Sequence, residues 1–182
     1  MEAQTLYQEA IKFATAKHQE KEQKVPGTDL PYVVHVSNVA MEIIIASSHS
    51  VNFNLGFAVQ VALLHDTMED TSTGFGELEN KFGVDIAKAV LALTKNNELP
   101  KEQQMQDSLA RIKKLQPEVW AVKLADRITN LQQPPSTWDN AKKIKYQQEA
   151  RIILHELKDG NNFLAGRLEA KIEAYGNYIT VG

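Results

Sequence analysis

Apolar residues recur at helical spacing along most of this chain, and that periodicity constrains the fold more than any other feature. Leu6, Ala10, Phe13 and Ala14 fall at i, i+4, i+7 and i+8; Val36, Val39, Ala40 and Ile43 repeat the pattern, as do Phe57, Val61 and Leu64. These predict three helices before residue 68. Val84, Ala87 and Leu91 mark a fourth, Leu124, Ile128 and Leu131 another, and Tyr146, Ala150, Ile153 and Leu157 a long one toward the C-terminus. No run alternates with the period of two that a half-buried strand needs. The 9 glycines and 6 prolines cluster between these segments, at VPGTDLP (25–31), STG (72–74), Pro100, Pro117, Pro134-Pro135 and Gly160. The expectation is an all-α fold, one compact helical domain over 1–182, with residues from Gly176 onward a loose tail.

A chain of 182 residues buries nearly 70% of its unfolded surface, so it needs no staple to fold. It contains no cysteine, which removes disulfide scaffolds, cysteine zinc sites and thiol nucleophiles and leaves histidine and carboxylate as the strong ligands. The net charge of −3 and pI near 6.0 argue against general nucleic-acid binding, which needs a surplus of Lys and Arg, but not against a small phosphorylated ligand. The opening MEAQTLYQEA lacks the apolar core of a secretory signal. The most apolar stretches, 41–46 and 57–64, are interrupted by Glu42 and Gln60 and fall short of the about 20 residues that span a bilayer. A cytoplasmic protein with no membrane partner is expected, its oligomeric state left open.

Leu63-Leu64-His65-Asp66-Thr67-Met68-Glu69-Asp70-Thr71 closes an apolar helix with a cluster of polar groups. On a continuing helix His65 pairs with Glu69 and Asp66 with Asp70 at i, i+4, so part of the set can bind a metal while the rest handles protons. A histidine beside an aspartate suits a divalent first-row ion, but two ligands do not hold one. His35, in Pro31-Tyr32-Val33-Val34-His35, and Asp126, in Lys123-Leu124-Ala125-Asp126-Arg127-Ile128-Thr129-Asn130, are the candidates to complete it. Lys123, Asp126, Arg127 and Asn130 share one helix face beside the stripe of Leu124, Ile128 and Leu131, as a cleft wall would.

PYxxH, then HDxxEDT, then KLADRxxNL, in this order, resembles the HD-domain hydrolases of the RelA/SpoT type, and most closely the stand-alone small alarmone hydrolases. The resemblance covers nearly the whole chain. It implies that His35, His65, Asp66 and Asp126 hold a manganese ion, and that Glu69 and Asp70 activate the attacking water and assist proton transfer. It implies further that Asn130 faces the ribose and 5′ side of a nucleotide, and that Lys142 and Tyr146 match a basic residue and a tyrosine used by the family. Where family hydrolases carry an Arg-Lys pair before PYxxH, with the Arg packing on the purine, this chain reads Gln23-Lys24. Only Lys24 is a basic residue in place, and lysine stacks on a flat ring far less well than arginine.

The expected reaction is metal-dependent hydrolysis of the 3′-pyrophosphate of a nucleoside 3′,5′-polyphosphate such as ppGpp. An ion balanced by Asp66 and Asp126 lowers the pKa of water and polarises a phosphoryl oxygen. Glu69 and Asp70, as close carboxylates, divide into one base and one acid. Lys24, Lys123, Arg127 and Lys142 are available to offset the diphosphate charge. The competing readings are the same chemistry on an adenine alarmone or another nucleotide phosphoester, and a non-catalytic alarmone-binding regulator. His18, His49 and His155 are expected to be structural or exposed, and Trp120 and Trp138 to be packing residues.

Overall fold

The computed structural model describes residues 2–179, and among them every regular element is helical. Helices α1 (Ala3–Glu20), α2 (Val33–Ser47) and α3 (Leu55–Leu64) are followed by the short α4 (Thr67–Asp70), then α5 (Phe75–Phe82) and α6 (Val84–Leu93). The second half comprises α7 (Lys101–Ile112), α8 (Pro117–Asn130), α9 (Asn140–Leu157) and α10 (Asn162–Tyr175). The all-α expectation holds, and the six helices marked by periodicity are α1, α2, α3, α6, α8 and α9. The periodicity does not mark α5, α7 or α10. Only Leu78 of α5 is buried, and α7 is mostly polar, burying Ser108, Leu109 and Ile112 alone.

α3 is the central helix, buried continuously from Ala58 to Leu64, and it packs against α1, α2, α6 and α8. A helix apolar on every side can only sit inside such a layer of neighbours. α8 is nearly as buried and carries the other half of the core through Val119, Val122, Leu124 and Ile128. Each fully buried leucine here stabilises the fold by about 1.5–3 kcal/mol relative to exposure. The two helices are locked in register at their starts. Asn54 caps α3 by accepting from the Phe57 N–H at 3.1 Å, and its own N–H donates to Glu118 Oε1 of α8 at 2.8 Å. Pro117 opens α8, where a missing N–H costs nothing. Gly160 ends the turn after α9 because a Cβ there would lie 2.5 Å from the Trp120 Cβ.

Two expectations are corrected. The His65–Asp70 run is not one helix: α3 stops at Leu64 and α4 begins at Thr67, with His65 and Asp66 in the bend. The Thr67 hydroxyl donates to the Leu64 carbonyl at 2.7 Å and the His65 ring contacts the Ala62 carbonyl at 2.8 Å, so side chains occupy carbonyls that a continuing helix would use. Residues 176–178 are not a loose tail but a 3-10 turn, with the Tyr178 ring edge-on to buried Tyr175 at 5.7 Å. Positions 180–182 lie outside the described residues.

Candidate metal centre and its two cavities

The fold brings His35, from the first turn of α2, beside His65 and Asp66 at the α3–α4 bend and Asp126 of α8. His35 Nε2 lies 3.7 Å from Asp66 Oδ2 and 3.4 Å from Asp126 Oδ1; His65 Nε2 lies 3.0 Å and 3.7 Å from the same two oxygens. His35, His65 and Asp126 are buried, and their ligand atoms fall within 4.8 Å of one another, close enough to hold one ion. Both Nε2 atoms are buried without a hydrogen-bond partner. An orphaned pair of buried nitrogens is costly unless something else binds them. At His65 the opposite nitrogen, Nδ1, faces the Ala62 carbonyl, which sets the tautomer that leaves Nε2 free as a ligand.

Charge in the cluster favours a cation. Burial opposes charge on His65, yet Asp66 and Asp126 beside it raise its pKa well above the ordinary value. Burial also works against ionising the two aspartates, but His65 holds Asp66 below the usual carboxylate range, and Lys123 with the two histidines does the same for Asp126. Once the imidazoles give up their protons to ligate, two anions facing two neutral nitrogens are the donor set of a divalent first-row ion, and the residues fit one. Further groups hold these carboxylates, two of them on the oxygens that face the histidines. The Tyr32 hydroxyl donates to Asp66 Oδ2 at 2.5 Å, Asn130 Nδ2 to Asp126 Oδ1 at 2.6 Å, and Lys123 Nζ to Asp126 Oδ2 at 3.0 Å.

Because the helix bends at His65–Asp66, the acids of α4 face different neighbours. Glu69 Oε1 accepts from Lys95 Nζ at 2.5 Å and its Oε2 from the Lys95 backbone N–H at 3.1 Å. Asp70 Oδ2 accepts from Gln23 Nε2 at 2.8 Å, and Gln23 Oε1 in turn meets His18 Nδ1 at 2.6 Å. Partial removal from water, then the charge of Asp66, raises the Asp70 carboxyl above its ordinary pKa. Tyr32, Gln23 and Lys95 were not singled out by sequence for these contacts. His18 is buried at the edge of the centre, its ring tilted by 43° against that of Tyr32 with centroids 4.7 Å apart.

Cavities flank the centre on several sides. One, of about 350 Å³, reaches His35 and Asn130 and is walled by Asn38, Trp138, Tyr146 and Tyr175. Trp138 therefore lines this cleft rather than only packing, with the Tyr146 ring edge-on at 5.1 Å and Lys142 Nζ 4.3 Å over its own ring. Burial pushes the Tyr146 phenol up to about 12. Lys24 lies away from this cleft, in a groove with His18, Gln23 and Tyr32, and pairs with Asp29 at 2.8 Å. The second cavity, of about 130 Å³, lies among Lys95, α7, α8 and α9.

A helical bundle that gathers two imidazoles and two carboxylates at a buried centre, with a separate pair of acids beside it, defines a class: helical hydrolases with a histidine–aspartate ion site. The HD domain model matches residues 10–159, and the chain belongs to the HD-domain family. It is 33% identical over 165 residues, 88% of this chain and 89% of the relative, to guanosine-3′,5′-bis(diphosphate) 3′-pyrophosphohydrolase MESH1 of Xenopus tropicalis. The Danio rerio protein of the same name is 32% identical over 166 residues, 88% of this chain and 89% of its own length. A solved metazoan ortholog of SpoT, which hydrolyses ppGpp and plays a role in starvation responses, superposes with a TM-score of 0.79 at 26% identity, covering 94% of this chain and 96% of that one.

Proposed function

We propose that this chain is a 3′-pyrophosphohydrolase of nucleoside 3′,5′-polyphosphates, converting (p)ppGpp to GDP or GTP and pyrophosphate, with Mn²⁺ held by His35, His65, Asp66 and Asp126. The observation that carries the reading is the pair of orphaned, buried Nε2 atoms set against Asp66 and Asp126, with Glu69 and Asp70 a few residues on. Relatives that bear this activity in their names support the substrate class. Its substrate being a freely diffusing nucleotide, the reaction belongs in the cytoplasm.

A divalent ion at this centre supplies polarisation of a phosphoryl oxygen and a lowered pKa for water. The neutral aromatic cleft takes the nucleoside, with Asn130 at the ribose and Trp138, Tyr146 and Lys142 around it. Glu69, anchored by Lys95, takes the water proton as the oxygen bonds to the 3′ phosphorus. The bond from phosphorus to the ribose 3′ oxygen breaks, and Asp70, whose part-buried carboxyl beside Asp66 holds a proton more readily than an ordinary aspartate, returns a proton to that oxygen.

A second reading, an adenine alarmone as substrate, stands because Gln23 occupies the position where the family resemblance expects the purine-packing arginine and is turned instead to Asp70. Incubating the protein and Mn²⁺ with guanine and adenine 3′,5′-polyphosphates, and resolving products by ion-exchange chromatography, decides between them. Pyrophosphate is expected from the guanine members; release from adenine members alone would move the assignment to the second reading. No release from any would overturn both.

A further inference from the structure

We infer that the cavity enclosed by Lys95, Lys101, Lys123 and Arg127 is a binding site for inorganic pyrophosphate; the inference rests on the proposed 3′-pyrophosphohydrolase reading and assigns a place to its inorganic product. The cavity is small, about 130 Å³, and four cationic side chains face one carboxylate, Glu149, across it. A compact polyanion is the chemical class that such a lining recognises.

The second observation is at Arg127. Its side chain is buried, with the residue 9% exposed, and its Nε and Nη1 make no hydrogen bond. Unmet donors on a buried cation cost more than those on a neutral group, so the guanidinium is built to receive an acceptor. The Tyr146 ring lies 4.4 Å from its central carbon, which holds the plane of the fork in place. Lysine could not present two parallel donors from that position.

The pocket also connects to the reacting groups. Lys95 contacts Glu69 and Lys123 contacts Asp126, so two of its cations touch the acids of the centre. The larger cleft differs in character: among the described residues that line it there is no lysine, arginine, aspartate or glutamate. The two ends of the scissile bond therefore meet different surroundings, the nucleoside moiety a neutral aromatic cleft and the 3′-diphosphate a cationic pocket, with Asp126 between them.

Isothermal titration of the Mn²⁺-loaded protein with inorganic pyrophosphate, and separately with inorganic phosphate, tests this without any nucleotide. All variants keep the ion ligands, so the ion's own contribution cancels in the comparison. Lys101 is exposed and touches no acid of the centre, so Lys101→Gln folds normally; it is expected to weaken pyrophosphate binding two- to fivefold. Arg127→Met is expected to weaken it tenfold or more. Lys145→Gln, a charge loss on the exposed face of α9, is expected to change nothing. Phosphate is expected to bind more weakly than pyrophosphate. Wild-type pyrophosphate affinity in Lys101→Gln overturns the inference even if Arg127→Met fails to fold. The two readings separate cleanly: pyrophosphate binding sensitive to Lys101 in a protein that cleaves no alarmone sinks the activity alone, and cleavage with insensitive binding sinks the pocket alone.

Discussion

Tyr32→Phe removes one oxygen atom and probes whether the centre depends on what holds its ligands. The Tyr32 hydroxyl donates to Asp66 Oδ2 at 2.5 Å, and the residue is 9% exposed, so water cannot readily take its place. Burial and the Asp66 charge push the phenol far above its ordinary pKa, so it is a donor throughout the working pH range. A hydrogen bond to a charged acceptor contributes about 1.5–3 kcal/mol. The Asp66 side chain is 20% exposed and can recover part of that from solvent, which places the loss near the lower end, about 1.5 kcal/mol. At 1.4 kcal/mol per decade this is about a tenfold loss of ion affinity. Removing a group that orients a metal ligand costs about 10–100-fold in general, and the two figures meet. Titrating the ion-free protein with Mn²⁺ against a chromophoric chelator reads the affinity, and thermal melting in chelator checks the fold. Turnover is expected to fall at limiting Mn²⁺ and to recover at excess. A folded variant that binds the ion as tightly as wild type, or whose lost turnover excess ion does not restore, refutes the reasoning.

Asp70→Asn separates stability from turnover. The Asp70 carboxyl has a folded pKa above its ordinary 3.8, so its contribution to stability is fully present below that value and lost as pH rises through the raised one. In chelator-treated protein Asp70→Asn is therefore expected to melt higher than wild type at pH 7, with the gain vanishing toward pH 3, while turnover falls about 10²–10⁴-fold; a lower melting point at pH 7 contradicts the sign. Gly160→Ala tests the approach of the turn after α9 to α8. Its Cβ would meet the Trp120 Cβ at 2.5 Å, and overpacking costs about 1–3 kcal/mol, or roughly 2–4 °C of melting temperature per kcal/mol at this size. An unchanged melting temperature refutes it.

The parts of the site that sequence made legible are those encoded locally. His65 and Asp66 are adjacent in the chain, Asp126 and Asn130 share a helix face, and helical periodicity places the elements that carry them. The residues that escaped reach the site through tertiary contacts. Tyr32 is 34 positions from Asp66, Gln23 is 47 from Asp70, and Lys95 is 26 from Glu69. No periodicity connects such pairs, since only the packing of α1, α2 and α6 around α3 brings them together. Lys24 is a different case. A position in a motif marks it as a substrate contact, and in the fold its ammonium meets Asp29, five residues on, in an exposed pair. The bend at His65–Asp66 escaped because the residues themselves are compatible with a helix; what breaks it is competition for two carbonyls.

Asp126 stands between the neutral cleft and the cationic pocket, its Oδ1 toward the histidines and Asn130 and its Oδ2 toward Lys123. A centre with two mouths imposes no queue on departure. The nucleotide and the inorganic product leave through separate openings in either order, so each can rebind the emptied enzyme and compete with intact substrate. Accumulated pyrophosphate then slows the enzyme by taking the place of the substrate's own 3′-diphosphate, a brake that high substrate relieves.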